Sequence, residues 1–95
     1  MGKYRHMSFH YHGNGNKHWK HPSNWKDGNL PDNWQKVQIF YHGNPTIVLN
    51  DDVMVNSVQF TGHGTLTIVG KGTEIRNNGS TTFDENSKVI LDGVN

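Results

Sequence analysis

The stretch that decides the fold is VQFTGHGTLTIVG, residues 58–70. Val58 and Phe60, then Leu66 and Ile68, stand two residues apart with polar partners between them, and the tetrapeptide TGHG separates the two pairs. Side chains alternate across a strand, so each pair turns an apolar face one way and a polar face the other. The glycines between the pairs favour a turn. The same unit recurs on both sides: Val37 with Ile39, Ile47 with Leu49 and Val53 with Val55 precede it, while Ile75, Phe83 and Val89 with Leu91 follow. Turn chemistry separates these pairs as HGNP, NDD, VGKG, NNGS and DENS. The chain has no alanine, eleven glycines and twelve asparagines, a composition that disfavours helix interiors. The reading is an all-β protein.

The spacing of the apolar positions carries the argument further. Val58, Leu66, Ile75, Phe83 and Val89 or Leu91 recur every six to nine residues. Three strands with their turns then occupy about 24 residues, the length of one coil of a three-sided β-solenoid. In that register Val58 and Phe60 lie one coil from Phe83, and Leu66 and Ile68 lie one coil from Val89 and Leu91. Phe83 is therefore expected in the core. Asn50, Asn56, Asn77 and Asn78 suit the corners, because asparagine tolerates left-handed backbone and its amide bonds neighbouring turns. A small antiparallel β-sandwich is the alternative, since its strands recur at similar intervals.

The remaining sequence divides into an N-terminal arm, residues 1–18, and a domain, residues 19–95, which opens on a tryptophan-rich cap over residues 19–35. The arm holds four of the seven histidines and alternates briefly from Tyr4 to His12. The cap holds all three tryptophans and two of the three prolines. Of the 95 residues 32% are hydrophobic, against roughly 45–50% in ordinary globular chains, and mean hydropathy is −0.80. So thin a core points to completion by another chain, and a homo-oligomer is expected. The net charge of +1 gives no field that favours nucleic acid or a membrane. The absence of cysteine excludes a disulfide framework and thiolate metal sites. No apolar run opens the chain, so a soluble protein made without a signal peptide is expected.

Trp19, Pro22-Ser23-Asn24-Trp25, Gly28, Leu30-Pro31 and Val37-Gln38-Ile39 together resemble the W…xxNWxxGxxP…VxI segment that leads into the repeats of many bacterial and viral right-handed β-helix proteins, both adhesin-like and pectin-lyase-like. Val58-Gln59-Phe60, Gly64-Thr65-Leu66-Thr67-Ile68 and Gly70 resemble their first coils. The resemblance covers residues 19–92. It implies a short right-handed β-solenoid, and it precedes lyases, adhesins and inert virion parts alike. The family runs to many coils, whereas at most two and a half fit here. A homotrimer packed around a threefold axis would supply the missing stability, as in short trimeric phage decoration and tail-associated proteins.

Catalytic constellations are weak. His10 and His12 fall on one face of a strand, with His18 and His21 nearby, but no acidic residue lies between Met1 and Lys26, and the bland reading of a solvated arm is preferred to a metal site. Asp51 and Asp52 are adjacent, so on a strand they point apart rather than converging on a substrate; they read as a turn. Ser23, Ser57, Ser80 and Ser87 have no nucleophile elbow, and the glycines at 62, 64, 70 and 72 open no helix and read as corners rather than phosphate loops. Trp19 and Trp25 are assigned to a structural cap, because large aromatic side chains dominate small cores. Trp34 and Tyr41 are the candidate glycan-binding pair.

The sequence thus leads to a protein that is not an enzyme and needs no cofactor or metal. The expected role is structural, at a virion surface, as a phage capsid decoration or tail-associated protein whose partners are sister chains and a capsid protein. Tyr4, Phe9, His10, Tyr11 and His12 of the arm are the candidate partner-binding residues. A carbohydrate-binding module or adhesin fragment, extracellular or at a cell surface, is the alternative.

Overall fold

Apolar alternation produces strands, and in the computed structural model, which describes the backbone of His6–His10 and all of residues 17–95, these strands share one sheet. They are β1 (His6–His10), β2 (Gln35–Gly43), β3 (Thr46–Val48), β4 (Val53–Thr73), β5 (Ile75–Asn77), β6 (Thr81–Phe83) and β7 (Ser87–Val94). Two single-turn 3₁₀ helices, Pro22–Asn24 and Lys26–Gly28, lie in the cap. The protein is all-β. β4 is central: β2 and β3 pair along one edge, β5, β6 and β7 along the other, and β1 flanks β2. Every strand pairing among the described residues is parallel. An antiparallel sandwich is thereby excluded, because its ladder requires neighbouring strands to run in opposite directions.

The register places like upon like. Val37 lies opposite Val58, Ile39 opposite Phe60 and Ile47 opposite Ile68, an offset of 21 residues. Val53 meets Ile75 at 22, and Phe60 meets Phe83, Leu66 meets Val89 and Ile68 meets Leu91 at 23. The repeat is slightly shorter than the 24 residues read from spacing, and its pairing partners are those that the spacing assigned. At the N-terminal side the offset is 30, from His6 to Lys36 and from His18 to Val48; the nine extra residues fall within the cap.

β4 departs from the expectation of three short strands separated by turns. It runs unbroken for 21 residues through Gly62, Gly64, Gly70 and Gly72, so the glycines bend the strand without removing it from the sheet. Gly64 shows why the residue must be glycine: its φ is +111°, and any Cβ there would run into the Gly43 carbonyl of the strand beside it. The expectation for the corner asparagines holds in part. None of Asn50, Asn56, Asn77 and Asn78 has left-handed backbone, a conformation that only Asp27 and Trp34 adopt among the described non-glycine residues. The amide bonding is present at Asn77. Asn77 Nδ2 donates to Ser80 O (3.1 Å) and Thr81 Oγ1 (2.8 Å), while its Oδ1 accepts from Gly79 N–H (2.9 Å).

The core gathers Val37, Ile39, Ile47, Val55, Leu66 and Ile68, none more than 1% exposed, beneath Trp19 and Trp25. Phe83 is not part of it. The residue stacks on Phe60 (centroids 5.3 Å, planes 13° apart) yet is 56% exposed, because among the described residues nothing lies on its other side. The arm also differs from expectation. His6–His10 pairs with Lys36–Phe40 of its own chain, so the sheet begins before the boundary drawn at residue 18.

Phe60 and Phe83 separate core burial from end exposure. Phe60→Ala, at a site 4% exposed, is expected to cost about 3–5 kcal/mol. Phe83→Ala is expected to cost only about 1 kcal/mol, the worth of an aromatic pair with little added burial. Urea denaturation of both variants checks the contrast; equal losses would show that Phe83 is covered in solution.

Candidate functional site

The cap is built by local chemistry. Pro22 presets the first 3₁₀ turn, His21 Nδ1 accepts from Ser23 N–H (3.2 Å) at its start, and Asp27 takes φ 61° to close the second. The two turns bring Trp19 and Trp25 edge to face, with centroids 5.3 Å apart and planes at 67°. Trp25 Nε1–H donates to Trp19 O at 2.7 Å, which satisfies the polar atom of an indole that is 3% exposed. Asn24 is fully buried beside them and donates from Nδ2 to His18 O (2.9 Å). These indoles are packed against the protein, 4% and 3% exposed.

Trp34 and Tyr41 do not meet on a common surface. Trp34 sits at φ 65°, held by donation of its N–H to Met54 O (3.0 Å), and its side chain is 40% exposed. Tyr41 is 5% exposed. Its hydroxyl accepts from Lys88 N–H (2.8 Å) and lies within donating distance of the carbonyls of Lys88 (3.1 Å) and Gly64 (3.3 Å). The phenol ring passes over Gly62, its register partner, where a Cβ would strike the Tyr41 carbonyl and ring. Tyr41 is therefore a pin joining β2, β4 and β7, and it is removed from the glycan-binding surface that the sequence assigned to it.

A polar cleft of about 250 Å³ opens beside the cap, lined by Trp19, Lys20, Pro31, Asp32, Asn33 and Asp52 among others. Two acids at or beside it, Asp51 and Asp52, are engaged in structure. Asp51 pairs with Lys20 at 3.4 Å, with both side chains exposed, an ion pair of small worth. Asp52 Oδ1 accepts from Glu74 N–H (2.9 Å) and ties one turn to the next. The histidines are dispersed: His18 Nδ1 lies 3.0 Å from Asn50 Nδ2, and His21 Nδ1 2.7 Å from Ser23 Oγ. Among the described residues no three His, Asp or Glu side chains are placed to hold a metal ion. Tyr4, Tyr11 and His12 lie outside the described residues, and Phe9 and His10 fall on β1 opposite Ile39 and Phe40.

The site that sequence reasoning missed is the outer margin of the sheet. A second cavity, about 270 Å³, is lined by Val58, Phe60, Ile75, Phe83, Val89 and Leu91 with a few polar neighbours, and its walls are mostly apolar. Phe83 and Leu91 are 56% and 50% exposed there, and Ile90, on the opposite face of β7, is 43% exposed. Alternation marks Phe83, Val89 and Leu91 as core residues and carries no mark of which core positions lie at an end. Comparison with models of protein families, with curated proteins and with solved structures finds no match.

Two substitutions separate the pin from the exposed indole. Tyr41→Phe leaves the Lys88 N–H without its partner and is expected to cost about 1–3 kcal/mol. Trp34→Ala is expected to change stability by no more than about 0.5 kcal/mol. Thermal melts of the two variants check both values.

Proposed function

We propose that this chain is a short right-handed β-solenoid acting as a structural assembly protein, of the kind that decorates a virion surface or attaches to a phage tail. Parallel pairing at a repeat of 21–23 residues supports the solenoid, since a β-strand returning to pair in parallel does so with a right-handed crossover in nearly all proteins. The observation that carries the structural role is the uncovered margin formed by Ile75, Phe83, Val89 and Leu91. In a chain with only 32% hydrophobic residues, apolar side chains left in water mark a surface meant for another polypeptide. The resemblance of residues 19–92 to the first coils of bacterial and viral surface β-helices points the assembly toward a virion. Its partners are then sister chains and a shell protein, the thin core calling for a homo-oligomer.

The second reading, a carbohydrate-binding module or adhesin fragment, rests on Trp34. Its exposed indole follows directly on Asp32 and Asn33 of the polar cleft, and an aromatic face beside carboxylate and amide groups suits a sugar.

Co-sedimentation with purified virions and titration with an oligosaccharide panel decide between them. The structural reading expects particle binding that Leu91→Asp abolishes and Trp34→Ala leaves intact, with no change in tryptophan fluorescence on adding glycans. Glycan binding lost in Trp34→Ala, with no particle association, would overturn it.

A further inference from the structure

We infer that the uncovered margin is a twofold interface in which β7 pairs with β7 of a second copy, antiparallel and centred on Ile90. This rests on the assembly reading of that margin and names its occupant.

The edge is free and correctly presented. β4 has neighbours on both sides, whereas among the described residues β7 pairs with β4 alone. Thr67 N–H donates to Pro45 O in the preceding repeat, so the alternate residues Leu66 and Ile68 direct their peptide groups toward β7. Lys88 directs its N–H and C=O inward, to the Tyr41 hydroxyl. By the alternation of a strand, the N–H and C=O of Val89 and Leu91 then point outward from the sheet, without a ladder partner. Such an edge is a template for another strand.

The side chains select the partner and the register. Lys88, Ile90 and Asp92 are exposed on one face of β7, while Val89 and Leu91 face the apolar cavity. An antiparallel partner must keep apolar positions on the apolar face, which allows centres at residues 89, 90 and 91. Only the centre at Ile90 sets Lys88 opposite Asp92 of the second copy and Asp92 opposite its Lys88. It also sets Ile90 against Ile90 and makes hydrogen-bonded pairs of Val89 with Leu91. The centres at 89 and 91 place a charge opposite Ile90 instead. A sequence self-complementary about one residue is what an isologous contact requires, and the same rotation lays each open apolar margin over the other.

The test uses the full chain. Light scattering at micromolar concentration is expected to give a dimer, and Lys88→Asp or Asp92→Lys alone, each creating two like-charge pairs, is expected to weaken it about tenfold or more at low salt. The double variant K88D/D92K restores the opposite charges and is expected to recover dimerisation. Because the chain has no cysteine, Ile90→Cys is expected to give a single disulfide-linked dimer on mild oxidation, the Cα separation of a directly opposed pair lying within disulfide reach, while Lys71→Cys stays uncrosslinked. A monomer, a trimer, or a dimer indifferent to the charge swaps overturns the pairing. A monomer that still co-sediments with virions overturns it while leaving the structural role standing, and a charge-sensitive dimer that binds no particle supports the pairing while removing the virion assignment.

Discussion

Parallel, in-register stacking of apolar side chains governs the rest of this structure. Ile39 on Phe60, Ile47 on Ile68 and Leu66 on Val89 fix the register at every step, because a slip of one residue would turn the entire apolar set outward. Other features follow from keeping the stack closed. Gly62 makes room for the ring of Tyr41, and Gly64 clears the Gly43 carbonyl. Asn77 bonds its own turn, while Asn44 and Asn50 bond the repeat beside them. The longer first repeat accommodates the cap, whose indoles Trp19 and Trp25 are buried with the core.

The same principle explains why one margin differs from all other surfaces. A stacked apolar residue is buried by the repeat on each side, and among the described residues Phe83, Val89 and Leu91 have a stacked neighbour on one side only. Phe60 and Phe83 occupy equivalent places in consecutive repeats and touch face to face, yet one is 4% exposed and the other 56%. The difference lies in position within the stack and not in the residue. A surface of this kind combines two binding terms, apolar area and a row of unpaired peptide groups, and together they suit association with another polypeptide strand better than recognition of a small molecule.

The polar residues that invite catalytic readings are absorbed by the architecture. Asp52 receives a peptide N–H from the next turn, Asp51 faces Lys20, and His18 meets Asn50 across adjacent repeats. Tyr41 illustrates the point most fully: an aromatic residue that suggested a sugar-binding face instead carries a hydroxyl that joins peptide groups 23 and 47 residues away.

The sequence by itself determined the strand class, the approximate repeat and the register partners, since period-two alternation and a recurring interval are local properties that survive without coordinates. It also marked the cap, because Pro, Gly, Asn and Trp concentrated in residues 19–35 leave little room for regular strand. Only the tertiary structure decided the direction of pairing, which local patterning leaves open between parallel and antiparallel strands of the same length. It alone showed that His6–His10 joins the sheet of its own chain, that Tyr41 is buried while Trp34 is exposed, and that β4 bends at its glycines without breaking. Above all it decided which core positions are covered: Phe83 and Leu91 carry the same alternation as Phe60 and Ile68, and burial depends on whether another layer lies beyond them.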